Sequence, residues 1–267
     1  MTPIGVVLYI AAGACVFAWT ASLLTGDTSW VDRMWSLLPL AYIWVFTSFA
    51  GFTNARLNVM AMLVTLWGAR LTFNFARKGG YSGVEDYRWA VLRSRMRPGQ
   101  FQLFNLFFIV FYQNALLVLI AMPALSAFRH RTTPFSAFDV ALVLLFIVCL
   151  VGETIADQQQ WDFHAWKRAE VAAGRSPGPG FLQDGLFRYS RHANYFFEIA
   201  QWWLVFLFGA VAARSLTQWT VIGALLLTLL FVGSTRFTEM ISRSHYAEYE
   251  HYQRTTSSII PWFRRAR

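Results

Sequence analysis

Four stretches of this chain contain no Asp, Glu, Lys or Arg: residues 1–26, 34–55, 98–128 and 215–235. An apolar run of roughly 20 residues is what a helix needs to cross the hydrocarbon core of a bilayer. A soluble protein of this length would give most of its helices a polar face, and about a quarter of its residues would be charged. Here the charged share is 14%. The expected fold is therefore all-α: a polytopic membrane protein forming a single domain over residues 1–267.

Apolar periodicity and its interruptions predict seven transmembrane helices, at about 4–24, 34–53, 57–77, 101–122 (ending near Pro123), 138–157, 194–213 and 216–236. The first is read as a membrane helix and not as a removed signal peptide, because it has no basic leader and no small-residue cleavage site. The net charge of +9 is not spread evenly. Six basic residues lie in 77–97, five in 159–193 and six in 236–267, out of 23 in all. Each group follows an odd-numbered span, so one orientation gathers them all on the cytoplasmic side: N-terminus outside, C-terminus in the cytoplasm. Arg129 and Arg131 run against this pattern. Juxtamembrane basic clusters of this kind face anionic lipid headgroups, so the expected partners are membrane lipids and a lipophilic small molecule within the bilayer, and not nucleic acid. The expected location is integral to a membrane, specifically a bacterial inner membrane. Helical spacing continues past the seventh span through 236–255, as though that helix ran on into water.

Polar groups inside such helices need a reason, because a charge at bilayer depth costs on the order of 3 kcal/mol or more. Arg70, Asn74 and Arg77 share one face of the third span; they either snorkel to the inner surface or form an anion site. Glu153, Asp157 and Gln160 share a face at the end of the fifth. Asn194, Glu198 and Trp202 share a face of the sixth, with His192 just before it and Gln201 one turn on from Phe197. Tyr112, Gln113 and Asn114 sit within the fourth, as interhelical glue or as functional groups. In the tail, Tyr249 and Tyr252 with Arg243 form either an interfacial belt or a cover for a nucleotide. Cys15 and Cys149 lack metal or redox spacing, and no metal site is expected. A phosphate loop, a HExxH pair and a nucleophile elbow are all missing, so arginines would have to hold any phosphate.

Residues 185–199, GLFRYSRHANYFFEI, resemble the C-terminal signature of the steroid 5-alpha-reductase superfamily. WGARL at 67–71, EDYRW at 85–89, GETIADQQQ at 152–160, and Tyr249 and Tyr252 ahead of IIPW at 259–262 are similar to its uncharacterised, mainly bacterial branch. The similarity runs from about residue 28 to the C-terminus and is strongest from 150 onward. It implies a seven-helix membrane reductase. NADPH would be held in the half spanning about 150–267, and hydride would pass to a carbon–carbon double bond of an enone-type, steroid-like or other lipid substrate. Carried onto this chain, the resemblance makes Asp157, Asn194, Glu198 and Trp202 cofactor contacts, with Arg77. Arg188, Arg191, His192 and Tyr195 belong to the same signature.

The chain departs from that pattern in four places. Ala193 stands where Pro is usual and Phe197 where Gly is usual. The second span has no acid, and Asn74 stands where the third usually carries Tyr. A different group must then polarise the substrate oxygen, and Tyr112 is the candidate. Two other readings stay open: an S-adenosylmethionine-dependent membrane methyltransferase of the isoprenylcysteine or phospholipid type, and a non-catalytic member of the fold.

Overall fold

The computed structural model describes residues 1–178 and 180–264. Among them every regular element is helical; the one β-bridge joins Ser190 to Ser257. Contacts group the chain into two compact units, residues 1–144 with 202–227, and residues 145–201 with 228 onward.

The first unit begins with α1 (Pro3–Thr25). Thr2 caps it by accepting from Gly5 N at 3.2 Å, Pro3 opens it, and Gly26 at φ 68 closes it. Its buried stripe is Val7, Ala11, Ala14, Ala18 and Ser22, while Leu8, Phe17 and Leu24 face outward. Small residues inside and large apolar ones outside is the distribution of a helix that packs closely on its neighbours and meets lipid on its other side. The chain then forms α2 (Trp30–Trp35), α3 (Leu38–Phe49) and α4 (Ala55–Arg77), the last capped by Asn54, which accepts from Leu57 N. After α5 (Tyr87–Arg95), one long rod is built from α6 (Pro98–Phe104), a π-helix at Asn105–Tyr112, α7 (Gln113–Ala121) and α8 (Pro123–Arg129). Packing of α3 on α1, α4, α7 and α8 makes the core of this unit, with Tyr42, Phe46, Met60, Trp67 and Leu117 fully enclosed.

Three long helices, α9 (Ala137–Ala172), α10 (Ala193–Ala213) and α11 (Val221–His245), contribute residues to both units. A short 3-10 turn at Gly185–Arg188 and α12 (Tyr249–Thr255) belong to the second.

Among the described residues, six helices are long and apolar enough to cross a membrane: Pro3–Thr25, Ala55–Arg77, Pro98–Arg129, Ala137–Ala172, Ala193–Ala213 and Val221–His245. The second expected span is the one that differs. It is broken at Ser36 and Leu37 into α2 and α3, and α3 with 12 residues reaches only about 18 Å at 1.5 Å per residue. Pro39 lies in the first turn of α3 and cannot donate to the preceding turn, which favours a restart at that point. The fourth span does not end at Pro123. Proline at a first helical position loses nothing, so α8 carries the rod on to Arg129. Gly209 lets α10 approach there: a Cβ on it would lie 2.8 Å from Pro123 O. The tail is not one helix either. It stops at His245 and restarts at Tyr249; between them the Tyr246 hydroxyl accepts from Lys167 Nζ at 2.7 Å.

Candidate functional site

Helices α9 and α10 face each other within the second unit, and the polar residues of their facing sides pair in antiparallel order. Gln201 Nε2 donates to Glu153 Oε2 at 2.6 Å, and Asn194 Nδ2 approaches Asp157 Oδ1 at 3.5 Å. Glu198 lies between those two amides on α10. Glu153, Asp157, Glu198 and Gln201 are all buried, at 3, 2, 4 and 1% exposure. Gln201 Nε2 also donates to Phe197 O, so both of its partners are acceptors and its amide orientation is fixed. Its Oε1, together with Asn194 Oδ1, is then an acceptor that makes no hydrogen bond to any described residue. This wall is rich in acceptor oxygens.

Phe197 explains how the wall stays closed around a bulky residue. Its ring lies against the bare Cα of Gly152 on α9, where a Cβ would come within 2.5 Å of it. The bulk gained at 197 is accommodated by a glycine on the facing helix. Gly152→Ala should therefore destabilise the protein by about 1–3 kcal/mol through overpacking. Phe197→Ala in the same chain should restore most of the loss. Thermal unfolding in detergent reads both, and a Gly152→Ala protein that melts like wild type would contradict the packing.

Arg191 and His192 are engaged elsewhere. Arg191 forks onto Glu239 of α11, with Nε at 2.6 Å from Oε1 and Nη2 at 3.1 Å from Oε2. Its Nη1 donates to the carbonyls of Gln253 and Thr256. His192 Nε2 meets Glu239 Oε1 at 3.1 Å; facing a carboxylate, it carries the proton. Gln253 Nε2 donates to Oε2 at 2.7 Å. Glu239 is thus the hub of a buried network tying the start of α10 to the C-terminal segment. The backbone does the same: Arg191 N and His192 N donate to Ser257 O and Ser258 O, Ser190 Oγ to Ile259 O, and Trp262 N to Tyr189 O.

The remaining expected residues fall into two groups. In the second unit, Tyr195 stacks on His192 and meets Phe231 edge-on at 4.7 Å. Tyr249 and Tyr252 pack on Phe181, and the Tyr252 hydroxyl donates to Phe187 O. Burial pushes both phenols above their ordinary range. Arg188 and Arg243 are exposed. The first unit holds the other three. Trp202 is buried edge-on to Trp67 at 4.8 Å, Arg77 donates to Asn74 Oδ1 at 2.9 Å, and Tyr112, the last residue of the π-helix, reaches Leu226 O at 3.4 Å. Sequence spacing singled out Asn194, Glu198 and Asp157 as faces. It could not reveal Glu239 as the partner of Arg191, 48 positions away, although a carboxylate near the end of an apolar helix already needed a cation. No group of three or more His, Cys, Asp or Glu among the described residues could hold a metal ion.

The family described as "Protein of unknown function (DUF1295)" matches residues 18–256. An uncharacterized protein, C594.04c, of Schizosaccharomyces pombe (strain 972 / ATCC 24843) is 39% identical over 258 residues, covering 91% of this chain and 75% of its own length. No solved structure matches the chain.

Proposed function

We propose a function for this chain, which belongs to the DUF1295 family: an integral membrane reductase that uses NADPH to saturate a carbon–carbon double bond of a lipophilic, enone-type substrate. One observation carries the reading. The facing sides of α9 and α10 present buried carboxylates at Asp157 and Glu198, and amide oxygens at Asn194 and Gln201 that make no hydrogen bond to any described residue. Such a wall fits a ligand edge made of hydroxyl and amide N–H donors, as the riboses and carboxamide of a nicotinamide dinucleotide provide. The similarity of residues 185–199 to the reductase signature points the same way.

In this reading NADPH supplies the hydride. Asp157, Asn194 and Glu198 bind and orient by accepting hydrogen bonds. The exposed guanidinium groups of Arg188 and Arg243 suit phosphate oxygens. Arg191 and His192 act indirectly, by fixing the start of α10 against Glu239. Trp202 and Arg77, which the resemblance makes cofactor contacts, and Tyr112, the candidate proton donor, belong to the first unit. Counting the broken α2–α3 stretch as a crossing restores seven spans, with the N-terminus outside and the basic clusters on the cytoplasmic side. The relative named above is fungal, so in this reading the location is integral to a membrane, with a bacterial inner membrane as the finer proposal.

The test is binding by purified protein in detergent. Asn194→Ala and Glu198→Gln should each weaken NADPH binding at least about tenfold, the worth of one or two hydrogen bonds to a bound ligand, while leaving thermal unfolding near that of wild type. Unchanged affinity in both would sink the site. Binding of S-adenosylmethionine in place of NADPH would replace the reductase with a methyltransferase, and binding of neither would favour a non-catalytic member.

A further inference from the structure

The π-helix of the first unit is the start of a second argument. An i→i+5 ladder eight residues long is rare, and π segments recur at functional positions. This one changes which residues share a face. Along an ordinary α-helix, Asn105 and Asn114 would point to opposite sides, nine positions apart at 3.6 residues per turn. With about 4.4 residues per turn through the π segment, they fall on nearly the same side. Both are 1% exposed.

Their orientations are fixed by their partners. Asn105 Nδ2 donates to Ser22 Oγ at 3.0 Å, and that hydroxyl spends its own proton on Trp19 O, so it can only accept. Asn114 Nδ2 donates to Val110 O at 2.8 Å, and a carbonyl only accepts. In both residues the remaining atom is therefore the amide oxygen. Both oxygens are buried without a hydrogen bond to any described residue, as are Gln113 Oε1 and the hydroxyl of Tyr42 on α3. The helices carrying them, α1, α3 and α7, pack on one another. Burying an acceptor without a donor is unfavourable, and three such amide oxygens in one helix cluster call for a donor from outside the chain.

The surroundings narrow its chemistry. Residues 98–128 contain no charge, so an ionic headgroup would go uncompensated. The unmet atoms are mainly acceptors, so the ligand must donate; an ether, ester or ketone oxygen would leave them unmet. Alongside runs an apolar ladder, Phe104 stacked on Phe108 at 4.9 Å and Phe108 on Tyr112 at 5.3 Å. We infer that the first unit binds an uncharged, hydroxyl-bearing lipophile, its single O–H donated to the amide oxygen of Asn114. This names the polar end of a molecule the protein takes from the bilayer, and it stands whether or not the cofactor reading above survives.

The probe is a long-chain fatty alcohol carrying a diazirine, compared with its methyl ether, on the purified full chain without cofactor. Photolabelling of peptides from residues 1–129 is read against concentration. The alcohol should half-saturate at a concentration at least about tenfold lower than the ether, as expected for a buried donated hydrogen bond. Asn114→Leu, which removes the acceptor at similar volume, should bring the two within about twofold. Equal labelling by alcohol and ether in wild type would overturn the inference, since water would then be meeting the amides. So would discrimination that survives in Asn114→Leu, a variant that should keep its fold because the Asn114 amide bonds only its own helix.

Discussion

Replacing Glu239 with alanine should cost about 3–5 kcal/mol, the scale for leaving one member of a buried ion pair without its partner. Against a total stability of about 5–15 kcal/mol, the variant should lose most of its folded population when warmed in detergent. The loss falls on Arg191, whose side chain is 9% exposed and would be left without its carboxylate partner. His192 and Gln253 would also lose an acceptor. Glu239→Gln should be milder, since an amide oxygen still accepts one of these bonds. The measurement is thermal unfolding followed by size-exclusion of the solubilised protein. Because α10, α11 and the C-terminal segment meet at this carboxylate, proteolysis should show residues 256–264 released first. A Glu239→Ala protein within 1 kcal/mol of wild type would mean the network is dispensable.

Asp139→Ala should be comparably damaging in the other unit. Asp139 and Arg56 are 0 and 1% exposed and joined at 2.6 and 2.8 Å. Asp139 also receives Ser136 N at 2.8 Å and Ser136 Oγ at 2.9 Å, a capping arrangement that opens α9. Arg56 is further held by the carbonyls of Thr133 and Pro134. Removing the carboxylate strands a buried guanidinium and uncaps a 36-residue helix, again about 3–5 kcal/mol. Asp139→Ala combined with Arg56→Met should recover most of this, because the second change removes the stranded charge. Equal damage in the single and double variants would show that the cap, and not the pair, carries the effect.

Both carboxylates illustrate the limit of reading along the chain. Arg56 and Asp139 are 83 positions apart, and neither belongs to a periodic face that would single it out. Glu239 sits on a helical face of the tail, yet its partner could have been any of the basic residues nearby. Arg191 and His192 belong to a signature that a sequence reading sends to a ligand; in the folded chain both also bond Glu239. Asn194, Glu198 and Asp157 were legible because spacing by helical turns is a local property, and two of those faces do meet within one unit. The pairing of Phe197 with Gly152 was not legible, since it depends on which helix faces which.

The amino-acid sequence alone determined that this chain is helical and built for a membrane. Charge-free runs of bilayer length have no other favourable state, and polar groups within them must find partners. It also set several helix ends, through residues such as Thr2, Gly26 and Asn54 that act on their own turn. Only the tertiary structure decided that the second expected span is a broken pair of shorter helices, that a π segment turns Asn105 and Asn114 to one side, and that Arg191 serves Glu239. Each of these depends on what lies opposite in space. Local sequence sets the cost of a conformation or of an unmet polar group, but the group that meets it comes from elsewhere in the chain.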